Sequence, residues 1–334
     1  MYRSQGYFVN KGKIYLDINK IQELHDNEVL LEIMFCGLCR TDLHVIDEEI
    51  SFTKYPIIPG HQIIGKVIKK GINTNTEIGD KLGIYWLYSS CGKCYYCSVG
   101  KENLCDNANF TGCTVHGGFQ QYIKISRDYT VNIPSFYEDH ELAPLLCAGI
   151  IGYRALSFVE SCETIGIYGF GSAGHIIAQI AIWQGKKVMA FIKRNDLKTA
   201  NLAENLGCNV YYSDEIIEFK HQGSIIFAPA GELLKTALIN TNKGGTIVCA
   251  GIHMSEIPPL KYEWIWNEKI IRSVANVTRE DAKKLFQLIN NLYDKNRKKI
   301  KIDIDLYPIE KIEEVIENYR KNKTSKSVVF QISK

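Results

Sequence analysis

No apolar run in the 334-residue chain approaches the ~18 residues that a membrane-spanning helix needs, and the start, MYRSQGYFVNKGKIY, lacks the apolar stretch of a secretory signal. These absences lead us to expect a cytoplasmic protein without a membrane partner. An excess of either charge is also missing. Lys and Arg total 40 against 37 Asp and Glu, and a net charge of +3 leaves no bulk electrostatic footprint for nucleic acid. The one basic run, Lys295 to Lys301, reads as a solvated helix end. Neither an internal repeat nor a low-complexity tract occurs, which sets aside solenoid and disordered architectures. With 46% hydrophobic and 23% charged residues, the composition is that of a folded globular chain, and the length suits two domains of roughly 100 to 200 residues each.

Cysteine is in surplus. Eleven are many for a reducing compartment, where structural disulfides are disfavoured and a cluster points to metal ligation or catalysis. Four fall within fifteen positions: Cys91, Cys94, Cys97 and Cys105 in SSCGKCYYCSVGKENLC. C-x-x-C steps let two thiolates reach one ion, and a fourth Cys closes a tetrahedral shell with no open position, the pattern of structural zinc. An iron-sulfur cluster fits less well, because its bacterial signature places the fourth Cys after three residues and before Pro, whereas here seven intervene and Asp106 follows. Cys36, Cys113, Cys162, Cys208 and Cys249 read as packing thiols.

Along the chain, the first third alternates β-rich runs with Gly and Pro: VLLEIMF, QIIGKVIKKG, GDKLGIYWLY and GGFQQYIKIS. A helical pattern follows from Glu141 to Val159, and then strands and helices alternate through TIGIYGF, KKVMAFI, SIIFAPA, GGTIVCAGI and KIIRSVANV. That rhythm predicts a doubly wound parallel sheet. After a helix near 279–294 the tail returns to strand, helix and strand and completes the first domain. The fold class is α/β, a β-rich domain over 1–151 with 290–334 interrupted by a nucleotide-binding domain over 152–289.

Gly169, Gly171 and Gly174 form G-x-G-x-x-G between an apolar strand and an amphipathic helix. The first makes the tight turn, the second lets a pyrophosphate approach the backbone, and the third allows close helix-to-strand packing. Ile192 stands eighteen residues further on, where a carboxylate would hold a ribose 2′-hydroxyl, and Lys193 and Arg194 follow. A missing acid and two added cations favour NADP(H) over NAD(H). Cys39, His61 and Cys147 form a dispersed set. Two thiolates and one imidazole leave a tetrahedral position open, as a catalytic zinc requires. Taken singly, each Cys also reads as a small buried hydrophobe and the His as a satisfied core residue, and the residues alone leave both readings open.

Together, CGLCRTDLHV, YPIIPGHQIIGKV, the four-cysteine loop, the segment around Cys147 and GFGSAG, in that order, resemble the zinc-dependent medium-chain alcohol dehydrogenases across essentially the whole chain. The resemblance implies a GroES-like catalytic domain and a Rossmann domain. It implies two zinc ions per chain, a catalytic one on Cys39, His61 and Cys147 and a structural one on the four-cysteine loop. Cofactor contacts follow for Arg40 at the pyrophosphate and for the turn Gly169, Gly171, Ser172, Ala173 and Gly174. Thr41 takes the alcohol proton, Asp42 orients His61, and His44 passes the proton to solvent. A tryptophan at the position of Trp86 lines the substrate pocket, favouring apolar alcohols and aldehydes, and assembly as a homodimer or homotetramer is implied. One departure stands out: Gln62 follows His61 where the family usually has Glu, removing a negative charge near the metal. The alternatives are a non-catalytic sensor of zinc and nucleotide, and a polyol dehydrogenase of the same family.

Overall fold

Apolar, β-branched runs in the first third become strands. In chain order these are β1 (Tyr2–Asn10), β2 (Lys13–Ile21), β3 (Glu28–Leu38), β4 (Gln62–Lys70), β5 (Lys81–Ile84), β6 (Leu87–Ser89), β7 (Asn109–Phe110), β8 (Tyr122–Ser126) and β9 (Thr130–Asn132). Two helices accompany them, α1 (Arg40–Ile46) and the single turn α2 (Tyr95–Ser98). The computed structural model describes residues 1–321, 323 and 326–333. Of the tail read from the sequence, Asn322, Thr324, Ser325 and Lys334 lie outside the described residues. The chain divides into two units, Met1–Cys147 with Asn276–Lys334, and Ala148–Ala275.

In the first unit β3 and β4 run antiparallel, with Cys36 opposite Ile63 and Gly37 opposite Gln62. Around this point the paired residues Cys36, Ile63 and Ile64 are buried apolar side chains, so a slip in register would expose the core face. The register has a chemical result: Cys39, just past the end of β3, and His61, just before β4, emerge side by side. Cys147 arrives differently. The helical pattern expected from Glu141 to Val159 is broken in the structure into a 3-10 helix over Asp139–Leu146 and α3 (Ala148–Ser157), with Cys147 between them at φ −125 and ψ −78. Pro144, with no N–H to give and a ring that crowds the turn before it, keeps the segment ahead of it out of a regular α-helix.

In the second unit β10 (Thr164–Tyr168), α4 (Ser172–Trp183), β11 (Lys187–Ile192), α5 (Leu197–Asn205), β12 (Asn209–Tyr212), β13 (His221–Ile226), α6 (Leu233–Asn240), β14 (Thr241–Cys249) and β15 (Ile270–Ser273) alternate. The strands pair in the order β12-β11-β10-β13-β14-β15, all parallel. Every residue of β10 is buried, as a strand covered on both faces requires. Inside the sheet the Tyr168 and Phe191 rings stack at 4.1 Å and 4°. The order reverses between β10 and β13, the position at which such sheets open a ligand crevice.

The chain re-enters the first unit at Asn276, before α7 (Arg279–Asn296), whereas the sequence reading carries the nucleotide-binding domain to 289 and begins it at 152. Local bonding accounts for this: Asn276 Nδ2 donates to Asn103 O at 3.2 Å, and the Arg279 amide donates to Glu102 Oε1 at 2.9 Å. The tail then supplies β16 (Ile304–Pro308), α8 (Ile312–Arg320) and β17 (Ser327–Gln331), and β17 pairs with β3 to extend the sheet.

Candidate functional site

The local sequence explains why Cys39 and Asp42 face the same point. Cys39 is the N-cap of α1; its Sγ accepts from the Thr41 amide at 3.3 Å, while Asp42 Oδ2 accepts from the Cys39 amide at 2.8 Å. This reciprocal cap fixes the first turn. The other carboxylate oxygen of Asp42, Oδ1, accepts from the Gly60 amide at 3.1 Å and lies 3.0 Å from His61 Nδ1. The His61 ring is thereby turned so that Nε2 lies 3.4 Å from Cys39 Sγ. Cys147 closes the group, and one ligand atom from each of Cys39, His61 and Cys147 lies within 4.8 Å of the others.

The electrostatics are those of a site built for a cation. Hydrogen bonding with Cys147 is the main influence holding the Cys39 thiol well below its ordinary value, and the same contact pushes Cys147 well above it. Burial raises the Asp42 carboxyl against the pull of His61. Burial presses His61 down, but Asp42 and Cys39 together outweigh it and hold the imidazole well above its usual range. Two sulfurs and an imidazole oriented by a carboxylate suit zinc, and three ligands leave room for one more.

Trp86 stands edge-on to His61, with ring centroids 5.1 Å apart at 84°, and stacks on Phe110 at 5.4 Å. Its Nε1 donates to Asn276 Oδ1 at 3.1 Å. Thr41 is buried and His44 is half-buried, one turn further along α1. Arg40 is exposed and lies 5.5 Å over the Tyr319 ring. Gln62 is 4% exposed, and its Oε1 occupies space that only Gly37 leaves: a Cβ there would come within 2.3 Å. Phe110, Asn276 and Tyr319 carry no sequence signal of their own, because each reaches the site through tertiary packing.

The four-cysteine loop forms a second donor group, with ligand atoms again within 4.8 Å of one another. Gly92 and Gly100, at φ +70 and +69, allow the two reversals that bring Cys91, Cys94, Cys97 and Cys105 together. Backbone amides of Lys93 and Cys94 lower Cys91 to about 6, so one thiol is prepared as a thiolate. Outside these groups Cys36, Cys113 and Cys208 are buried, while Cys162 and Cys249 are half-buried.

In the second unit the glycine turn joins β10 to α4. Gly169, at φ +89, runs so close to Ala228 that a Cβ would meet its amide nitrogen at 2.7 Å; at Gly174 a Cβ would approach Gly169 O within 2.4 Å. Gly171 faces open space, and Ser172 and Ala173 begin α4 with their amides at its N-terminus. A crevice with bare backbone and a helix N-terminus suits a pyrophosphate. Past β11, Lys193 helps to line a cavity of about 260 Å³ that also holds Asp196, Tyr211 and Glu215. Arg194 is already engaged. Its Nε bonds both Asp214 oxygens at 3.1 Å, and its guanidinium lies 4.5 Å over the Tyr212 ring.

Residues 25–135 match the family model of the alcohol dehydrogenase GroES-like domain. The chain is 38% identical over 270 residues, 78% of each protein, to "Probable alcohol dehydrogenase AdhA" of Mycobacterium tuberculosis. It is 32% identical over 340 residues to an alcohol dehydrogenase of Geobacillus stearothermophilus, covering 97% of this chain and 98% of the relative. Two solved structures share the fold. A cinnamyl alcohol dehydrogenase of Sorghum bicolor aligns with a TM-score of 0.87 at 24% identity, covering 99% of this chain and 98% of its own. The CAD from Helicobacter pylori complexed with NADP(H) aligns at 0.84 and 23%, over 98% of each. With the ligand groups and the glycine turn in place, these likenesses make the chain a member of the zinc-type medium-chain alcohol dehydrogenase family, oxidoreductases that act on alcohols.

Proposed function

We propose that the protein reversibly transfers hydride between a primary or secondary alcohol and a nicotinamide dinucleotide, NADP(H) in preference to NAD(H). The observation that carries this reading is the convergence of Cys39, His61 and Cys147, with Asp42 on the far nitrogen of the imidazole. When these three residues hold zinc, the chemistry supplied is Lewis-acid polarisation of the alcohol or carbonyl oxygen. Cys91, Cys94, Cys97 and Cys105 would hold a second zinc, one that braces their loop.

The chain's own groups do the rest. The Thr41 hydroxyl takes the alcohol proton in a dry setting. His44, three residues along the same helix and 25% exposed, delivers that proton to water. Trp86 walls the site with an apolar face and selects apolar alcohols and aldehydes. Arg40 offers a cation to the cofactor pyrophosphate, whose other contacts are the amides of the Gly169–Gly174 turn. Lys193 and Arg194 answer a 2′-phosphate, although Asp214 competes for Arg194. Exposed Ile270 and Ile271 on β15, an outer strand of its sheet among the described residues, suit pairing with a second copy in a homodimer or homotetramer. The proposed location is the cytoplasm; among the described residues, no helix is long and apolar enough to cross a membrane.

The test is the initial rate of NADPH and NADH consumption by zinc-loaded protein over aliphatic and aromatic aldehydes, repeated with Cys39→Ser. Faster turnover with NADPH, lost in the variant, supports the reading. Zinc and nucleotide binding without turnover on any of these aldehydes defeats it.

A further inference from the structure

α1 ends on a residue that its sequence does not advertise. Glu48 takes the left-handed conformation at φ +59, usually left to glycine. Its amide donates to Val45 O at 3.2 Å, and the next amide, that of Glu49, reaches back to His44 O at 2.9 Å. These two bonds close the helix as a left-handed C-cap does. The reversal also returns the Glu49 side chain over the last turn, where its Oε2 contacts His44 Nδ1.

We propose that Glu49 is the positioning residue of His44, fixing which ring nitrogen takes the proton and supporting the imidazolium that results. The proposal rests on the relay role given to His44 above. A carboxylate only accepts, so in the neutral ring Nδ1 carries the hydrogen donated to Glu49, and the basic lone pair lies on Nε2. A proton arriving from the hydroxyl relay therefore binds Nε2. The imidazolium then keeps its Nδ1–H bond to Glu49 and releases the Nε2 proton to water, leaving the carboxylate ionised throughout. Nearby charges have their own partners: Asp42 binds His61, and on α8 Arg320 takes Asp47 while Tyr319 lies under Arg40. The Tyr55 hydroxyl donates to Val45 O, and Glu48 is exposed beside the pair. Glu49 itself is 55% exposed, so its support is moderated by solvent and is lost in part at high salt.

The experiment compares Glu49→Gln, Glu49→Asp and His44→Gln in zinc-loaded protein. In ¹⁵N–¹H spectra of labelled imidazoles, with His44 assigned by its loss in His44→Gln, wild-type His44 shows the Nδ1–H tautomer. Glu49→Gln mixes the tautomers, and Glu49→Asp restores the Nδ1–H form. In alcohol oxidation Glu49→Gln lowers the plateau kcat about threefold, leaves KM for the alcohol unchanged, and adds nothing to His44→Gln. An unchanged tautomer in Glu49→Gln overturns the proposal. If His44→Gln lowers the rate while Glu49→Gln does not, the relay stands and the proposal falls. If His44→Gln leaves the rate unchanged, the relay reading falls and the proposal with it.

Discussion

Arg194 decides how far a missing acid counts as a signal for NADP(H). A chain with Ile192 in the acid's position and cations after it looks prepared for a 2′-phosphate, yet the fold sets Asp214, twenty residues on, against the Arg194 guanidinium. Both side chains are more than half exposed, so water screens the pair, and a phosphate carrying about two charges outcompetes one carboxylate. Asp214→Asn is expected to raise kcat/KM for NADPH about threefold and leave NADH unchanged, by freeing the fork. Arg194→Gln is expected to lower the NADPH value about tenfold. The ratio of the two kcat/KM values is the readout, and a ratio unmoved in both variants shows that this arginine does not read the phosphate.

At the scale of elements, α1 shows how ends govern a site more than interiors do. Its start is held by Cys39 and Asp42, and its stop depends on Glu48 in a glycine's conformation. Glu48→Gly is expected to stabilise the fold by about 0.5–1 kcal/mol, measured as an increase in unfolding free energy, because a side chain at positive φ carries a strain that glycine lacks. Cap geometry also separates what was legible in the sequence from what was not. The four-cysteine loop is legible because its donors are local. The Cys39, His61 and Cys147 group can be singled out from the residues but stays ambiguous there, since the β3–β4 register and the break at Cys147 bring it together, and the family resemblance is what gives it a role in advance. Glu49 is invisible for a related reason: without a glycine at 48, nothing announces the reversal that carries it to His44. The strands of the parallel sheet follow the sequence closely, but α7 does not declare which sheet it covers. Its amphipathic period is that of any surface helix, and the bonds of Asn276 and Arg279 to the Glu102 region settle its place.

For the molecule as a whole, stability rests on different chemistry in the two units. Both donor groups found among the described residues lie in the first unit, so that unit gains stability from bound metal, and a strong chelator should lower its unfolding transition by at least about 5 °C. The second unit carries a different sensitivity. His221 is wholly buried beneath Tyr168 and against Gly166, and burial lowers it from 6.5 to about 4. A ring kept neutral in the fold but protonated in the unfolded chain makes the unfolded state bind more protons between those values. Its stabilising effect is therefore complete above about pH 6.5 and is lost as pH falls through about 4, a total on the order of 3 kcal/mol. Calorimetry of the zinc-loaded protein between pH 7 and 5 should show a chelator-insensitive transition that falls with acid in the wild type and falls less in His221→Gln. That variant keeps a neutral polar side chain at the position but removes the titrating ring. A chelator-insensitive transition as acid-sensitive in His221→Gln as in the wild type takes the role away from His221, and a single transition answering to both chelator and acid shows that the units do not unfold separately.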